Sequence, residues 1–176
     1  MGNQIILSVL ELSLAILLGV FSMFITHFIL VRIYKSKYPN EEQSPYRNQA
    51  FMIFLAGAMF SVGYLLTGVI EPLSSTLDLL MGAEQETGKL IWAYSKFLFL
   101  FIGLGFVLGL LINLLSYVLF STLTTSVNEL EEIKNGNIGV AVLVSVMAIT
   151  IAVFCKEPFL LLLESFVPYP DLPRLF

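Results

Sequence analysis

Uncharged apolar stretches divide the chain into four segments, each long enough to cross a membrane. No Asp, Glu, Lys or Arg occurs between Glu11 and Arg32, or within 48–70, 97–128 and 135–155. A helix of about 20 apolar residues, rising ~1.5 Å per residue, crosses the ~30 Å hydrocarbon core of a bilayer. The pattern therefore predicts an all-α integral membrane protein with four transmembrane helices, since a soluble helix bundle would need polar faces.

The charges that flank the stretches predict how the helices are oriented. The four helices are expected at about 4–34, 48–71, 91–121 and 137–157. Arg32, Lys35 and Lys37 follow the first helix, and no Lys or Arg precedes it. Because basic residues favour the cytoplasmic side, we expect both chain termini outside and the polar segments before the second and fourth helices inside. The first helix lacks the basic region and cleavage site of a signal peptide, so we expect it to remain.

The second and fourth helices are alike at both ends. Each begins at an asparagine, Asn48 or Asn137, which we interpret as the N-cap of the helix. Each then reaches a Glu-Pro pair that begins at Glu71 or Glu157. Proline disfavours a helical residue before it, so the two pairs are predicted to mark the outer ends of these helices, with 72–90 as an external loop.

This likeness predicts a tandem repeat of two-helix units, the first over 1–86 and the second over 87–176. Two crossings return the chain to its starting side, so the repeats are expected to be parallel, related by an axis along the membrane normal. In the second unit a short helix, "ELEEIK", is expected before Asn137, capped by Ser126 or Asn128 and ended by Gly136.

Composition excludes several classes of function. A net charge of −4 with nine Lys and Arg residues provides no basic patch for nucleic acid. The single cysteine, Cys155, excludes an intrachain disulfide and a cysteine-based metal cluster. The "GLGFVLG" stretch at 103–109 lacks the third glycine of a dinucleotide-binding fingerprint. We therefore expect no catalysis, no metal and no cofactor.

Ionisable residues at the outer ends of the helices are candidate functional residues, because charge in lipid is costly and usually faces protein or water. Glu11 and Lys96 are expected at similar depth. They form either a buried ion pair or two side chains that extend separately to the headgroups. Glu71, Glu157 and Glu164 add carboxylates at the same level, as an ordinary acidic rim or as the vestibule of a cation path.

Uncharged residues within the helices are expected to hold the bundle together. Gly105 and Gly109 form a face of small residues for close helix packing. Asn113, near the middle of the third helix, is expected to bond a neighbouring helix. His27, the only histidine, is interpreted as a packed or interfacial side chain, with a proton relay as the alternative.

The stretch "ELEEIKNGNIGVAVLVSVMAITIAVF" at 129–154 resembles the signature of the YjfL-like bacterial membrane family, the domain of unknown function 350. The matching positions are Glu131, Glu132, Gly136, Asn137, Gly139 and Ala141. The first unit is similar at Asn48, Ala50 and Gly57 but has Arg47 where the family prefers glycine. The resemblance implies a small multi-pass protein of the bacterial inner membrane, in a family often associated with envelope-stress genes, without an established activity.

Two functions remain open. The first is a non-catalytic subunit that forms homo-oligomers or docks a cytosolic or membrane stress-response protein. The second is a small cation channel or transporter with Glu11, Lys96, Glu71 and Glu157 near its path. A path needs polar groups through the full depth of the membrane, and the charges lie mainly at one side, so the sequence favours the subunit.

Overall fold

Every regular element that the computed structural model describes, over residues 2–39, 44–83, 86–123 and 129–169, is helical. The α-helices are α1 (Gly2–Lys37), α2 (Gln49–Leu66), α3 (Ile70–Ala83), α4 (Thr87–Leu123), α5 (Glu129–Lys134) and α6 (Ile138–Glu164). Short 3-10 helices occupy Pro45–Arg47 and Thr67–Val69. Four helical segments are long and apolar enough to cross a membrane: α1, the α2–α3 segment, α4 and α6. The prediction of four such helices is confirmed.

Helices α2 and α6 lie side by side at the centre and run in the same direction. At their first ends Asn48 bonds Lys134, three residues before Asn137, and near their far ends Gly68 lies against Lys156. Helix α1 packs antiparallel on α2, whereas α4 packs on both α2 and α6. The centre of the fold is thus a parallel helix pair flanked by two helices of opposite direction.

Small residues allow α2 and α6 to approach closely. A Cβ atom on Gly57 would lie 3.0 Å from the Cα of Ser145, and the Ser145 hydroxyl donates to the carbonyl of Ile53 at 3.3 Å. The two helices also contain several buried alanines, namely Ala50, Ala58, Ala141, Ala148 and Ala152. Dispersion contacts at short range hold helices together in lipid, where burial of apolar surface supplies no driving force.

The predicted helix ends at the two Glu-Pro pairs are wrong. Helix α6 continues through Pro158 to Glu164. Helix α2 passes through the 3-10 turn into α3, where Pro72 is in the first turn and its missing N–H is not required. Within 72–90, predicted as an external loop, residues 72–83 therefore belong to α3 and residues 87–90 to α4. The caps expected at Ser126 or Asn128 lie outside the described residues.

The segment from α2 to α3 is longer than one membrane crossing. Gln49–Gly82 spans 34 residues, or about 51 Å of helix, against the ~30 Å hydrocarbon core. Helix α3 buries Leu73, Thr76 and Leu77 and exposes Asp78, the pattern of an amphipathic helix on a protein surface. It packs against α4. Helix α3 thus gives the apolar segment more length than one crossing requires.

Candidate functional site

Asn48 lies where the two halves of the chain meet, and it bonds both. Its side-chain oxygen accepts from the backbone N–H of Phe51 at 3.0 Å, which confirms the predicted N-cap of α2. Its amide nitrogen donates to the carbonyls of Ile133 at 2.9 Å and Lys134 at 2.8 Å. Ile133 and Lys134 are the last two residues of α5, where carbonyls lack partners within their own helix, and the Ile133 carbonyl also accepts from the Gly136 N–H at 3.1 Å. One side chain therefore begins α2 and ends α5.

Asn137 is also an N-cap, as predicted, but it makes no such connection. Its oxygen accepts from the N–H of Val140 at 3.3 Å, and its amide donates to the Glu132 carboxylate at 2.7 Å. Glu132 lies in the same half, and this bond is exposed. Gly136, at φ +85°, ends α5 in the left-handed conformation that the sequence predicted for it. Both asparagines therefore cap a helix, but only Asn48 also bonds the other half of the chain.

A cavity of about 310 Å³ opens beside Asn48. It is lined by Tyr34, Ser44, Arg47, Asn48, Gln49, Lys134, Asn135 and Gly136. Two of these side chains are cationic, and the described lining contains no carboxylate. The Lys134 ammonium lies 4.8 Å from the ring centroid of Tyr38, within the range of a cation–π contact. Sequence analysis missed this cavity, because its residues come from both halves and carry no motif.

Glu11 and Lys96 do not form the ion pair that was one of the two alternatives for them. Both side chains are exposed, and the ion pair found within the described residues is the exposed one between Lys89 and Glu86, at 2.8 Å. The Lys96 ammonium instead lies 5.2 Å from the ring centroid of Trp92 on the same helix. Of the two readings of these residues, the structure matches separate, outward side chains.

Their depth follows from the register of α1 and α4 on α2. Two contacts set this register: Ser22 with Gly63, and Gly109 with Val62. In an antiparallel pair, a step back along α1 or α4 matches a step forward along the α2–α3 segment. Counted from these contacts, Glu11 and Lys96 both lie level with about residues 74–75 of α3. That level is about 40 Å along the helix from Asn48. The two residues therefore lie at a similar level along the bundle, as expected.

The three carboxylates of the predicted acidic rim also face outward. Glu71 and Glu157 are exposed, and Glu164 is partly exposed. Among all the described residues, the buried polar side chains are serines and threonines, and none is charged. The carboxylates therefore do not line the interior of the single chain.

The predicted packing roles of Asn113, Gly105 and Gly109 are confirmed. The Asn113 amide donates to the Ser61 hydroxyl on α2 at 3.1 Å and to the Gly109 carbonyl on its own helix at 2.9 Å. A Cβ atom on Gly109 would lie 3.0 Å from the Val62 side chain, and Gly105 lies against the side chain of Leu66. These contacts join α4 to α2.

His27 contacts the polar segment before α2. Its Nε2 lies 3.3 Å from the Tyr46 hydroxyl. The two rings stack with an interplanar angle of 6° and centroids 5.8 Å apart. This contact fixes the segment Pro45–Arg47 to α1, which agrees with the interpretation of a packed, interfacial histidine.

Comparison with protein families finds a match over most of the chain. The model of the Domain of Unknown Function family DUF350 matches residues 4–157, nearly the whole chain. No curated protein and no solved structure matches.

Proposed function

The chain belongs to DUF350, a family defined by a domain of unknown function, and on that premise we propose that it is a non-catalytic, self-associating subunit of the bacterial inner membrane. Its four long apolar helices cross the membrane as two parallel two-helix repeats, with both chain termini outside. The association with envelope stress, through a cytosolic or membrane stress-response partner, is part of this proposal and derives from the family resemblance alone.

The direction of the central helices supports the parallel repeat. Helices α2 and α6 begin at capping asparagines, Asn48 and Asn137, and lie side by side with the same direction. Each follows a long helix, α1 or α4, of the opposite direction. An inverted repeat would set these two central helices antiparallel.

The uncharged interior supports a role other than conduction or catalysis by the single chain. No described charged side chain is buried, and the polar groups between the helices are used in packing. For example, the Ser61 hydroxyl donates to the carbonyl of Ala58 and also accepts from Asn113. A cation path requires polar or charged groups along its length, and these buried groups are few.

The observation that carries the self-association is the unequal packing of the two flanking helices. Helix α4 packs on both α2 and α6, whereas the main contacts of α1 are with α2 and α3. Among the helices that the structure describes, none makes its main contacts with one side of α6, and on this helix Phe154 is 77% exposed and Leu161 64% exposed. We propose that a second copy of the chain covers this side.

Disulfide crosslinking in the native membrane tests the self-association. In a Cys155→Ser background, Phe154→Cys should give covalent dimers on mild oxidation. Val20→Cys is the matched control, because Val20 on α1 is 66% exposed and lies at nearly the same depth by the register on α2. Dimers at Val20 and none at Phe154 would contradict the proposed interface.

Ion flux tests the alternative function of a cation channel or transporter. We expect vesicles that contain the purified protein to conduct cations no faster than protein-free vesicles. Flux that Glu71→Gln and Glu157→Gln reduce together would favour the channel, with the outer carboxylates completed as a vestibule by several copies.

A further inference from the structure

We propose that a second copy of the chain packs its own α6 against α6 in register, so that the two Glu157 side chains meet and form a hydrogen bond. This inference rests on the proposed self-association and deepens it, because it names the helix, the register and the residue that selects the partner. It concerns one face of α6, which we call the seam and which consists of Leu143, Thr150, Phe154, Glu157 and Leu161.

The seam lies on the side of α6 that points away from α2. Ser145 marks the side toward α2, because a Cβ atom on Gly57 would meet it. A helix turns about 100° per residue, so Phe154, nine residues after Ser145, points about 180° away from α2. By the same count the other seam residues lie within about 60° of Phe154. All five are exposed, so a second helix can reach each of them.

The seam residues recur with the period of helices that pack side by side. They are separated by steps of seven, four, three and four residues, and the half-buried Met147 divides the step of seven into four and three. Alternate steps of four and three residues form the heptad pattern of two parallel helices in contact. Most helix pairs in membranes cross at the angle of such coiled coils. A second α6 of the same direction therefore fits along the whole seam.

Glu157 indicates that protein covers the seam, because apolar side chains alone could face lipid equally well. It lies between Phe154, three residues before it and 77% exposed, and Leu161, four residues after it and 64% exposed. Ionisable side chains among apolar ones in a membrane helix almost always face protein or water. The described residues place no cation within ion-pair distance of Glu157. A polar group of another molecule is therefore the partner that Glu157 needs.

Lys156, the neighbour of Glu157 in the chain, is turned away from the seam. Its ammonium lies 5.2 Å from the ring centroid of Tyr64, and its side chain lies beside Gly68. Both contacts are with the segment that leads from α2 to α3. In a second copy that has the same structure, Lys156 would likewise face its own α2 and not the seam.

Symmetry brings Glu157 to its counterpart. Copies related by an axis along the membrane normal place equal residues at equal depth, so Glu157 of the second copy lies at the level of Glu157. Two carboxyl groups at one site hold one proton between them, because both cannot be ionised there. The protonated group then donates a charge-assisted hydrogen bond to the other. A single polar residue in an apolar seam fixes the register of the two helices.

Disulfide crosslinking in the native membrane maps the seam. In a Cys155→Ser background, Leu143→Cys and Leu161→Cys should give covalent dimers on mild oxidation. Val142→Cys and Leu162→Cys are the matched controls. These adjacent residues are 42% and 50% exposed, and they lie about 100° from the seam on its two opposite sides. We expect clearly less dimer at the controls than at the seam positions.

Exchange of the charge at Glu157 tests the register, with the dimer yield at Leu143→Cys as the readout. Glu157→Gln should change the association constant less than about twofold, because two amides can still exchange a hydrogen bond. Glu157→Lys should lower it at least about tenfold, since two ammonium groups then meet without an acceptor. When Glu157→Lys copies are expressed with copies that keep Glu157, and the two carry tags of different size, mixed dimers should exceed both kinds of identical dimer.

Subunit counting of a fluorescently tagged Cys155→Ser protein in native membrane particles separates this inference from the proposed function. Oligomers that crosslink equally at seam and control positions would overturn the seam and leave the self-association standing. Oligomers that form mixed dimers no more often than random pairing would overturn the register at Glu157. Single copies throughout would overturn the proposed function as well. Circular dichroism of each variant distinguishes a loss of association from a loss of helix.

Discussion

Replacement of Asn48 and Asn137 by alanine should destabilise the protein to clearly different degrees. Both variants lose an N-cap, which costs about 1 kcal/mol. Asn48→Ala also loses two bonds to the carbonyls of Ile133 and Lys134, each worth about 0.5–1.5 kcal/mol. The Ile133 carbonyl keeps a second bond, from the Gly136 N–H, so its loss should fall at the lower end of that range. We therefore expect a loss of about 2–4 kcal/mol for Asn48→Ala and about 1 kcal/mol for Asn137→Ala, whose further bond to Glu132 is exposed.

Serine at the same positions separates the cap from the connection between the halves. A serine hydroxyl can still accept a hydrogen bond from the first turn of the helix. It is shorter than the asparagine side chain and has no amide group, so it cannot donate to the carbonyls of α5. Asn137→Ser should therefore recover most of the loss, and Asn48→Ser should recover only the cap. Equilibrium unfolding in mixed micelles gives the four free energies of unfolding. Equal losses for the two alanine variants, or full recovery in Asn48→Ser, would refute the connecting role of Asn48.

Three further stability measurements in the same micelles test the packing of the helices. Gly57→Ala should destabilise the protein by about 1–3 kcal/mol, because its new methyl group meets the backbone of α6. Gly103→Ala, with open space around it, should be neutral or stabilise by up to about 1 kcal/mol. Similar effects of the two variants would exclude the close approach of α2 and α6. Asn113→Leu should change the free energy of unfolding by less than about 1 kcal/mol. Interhelical bonds in membranes average about 0.6 kcal/mol, and the side-chain oxygen of Asn113 is already buried without a partner. A loss above about 2 kcal/mol would show that the bond to Ser61 matters more than this. Glu11→Gln and Lys96→Met should combine additively in a double-mutant cycle, because the two side chains are separate; a coupling energy above about 1 kcal/mol would restore the ion pair.

The sequence predicted the number of long apolar helices because the uncharged stretches are long and distinct. It also predicted the two capping asparagines, because a cap depends on its own helix alone. The helix-packing glycines and the bond of Asn113 to a neighbouring helix followed from general rules for helices in lipid. Each of these predictions needed only the residue's own helix, because none of them named the partner helix.

The errors arose where a residue has two possible contexts. Proline after Glu71 was read as a helix end, yet proline is also favoured in the first turn of a new helix, and the 3-10 turn before α3 provides that start. The spacing of Leu73, Leu77 and Leu80 is the signal that could have identified α3 as an amphipathic helix. For Glu11 and Lys96 the sequence left an ion pair and separate side chains open, because the depth of two residues does not show which way their side chains face.

The bonds of Asn48 to α5 could not be read from one half of the sequence. They depend on how α2 and α6 pack against each other. The contact of Gly57 with Ser145 sets that packing, and it is visible only in the structure. The cavity with Arg47 and Lys134 has the same origin, since it forms between the halves.

Cysteine labelling in intact cells tests most directly whether the chain crosses the membrane as two parallel repeats. In a Cys155→Ser background, single cysteines replace Lys37, Glu131 or Asp78, all of which are exposed. A reagent that cannot cross the inner membrane, added from outside, should label the cysteine at position 78 and should reach positions 37 and 131 only after the membrane is permeabilised. If the cysteines at 37 and 131 were instead labelled from opposite sides, the two repeats could not be parallel.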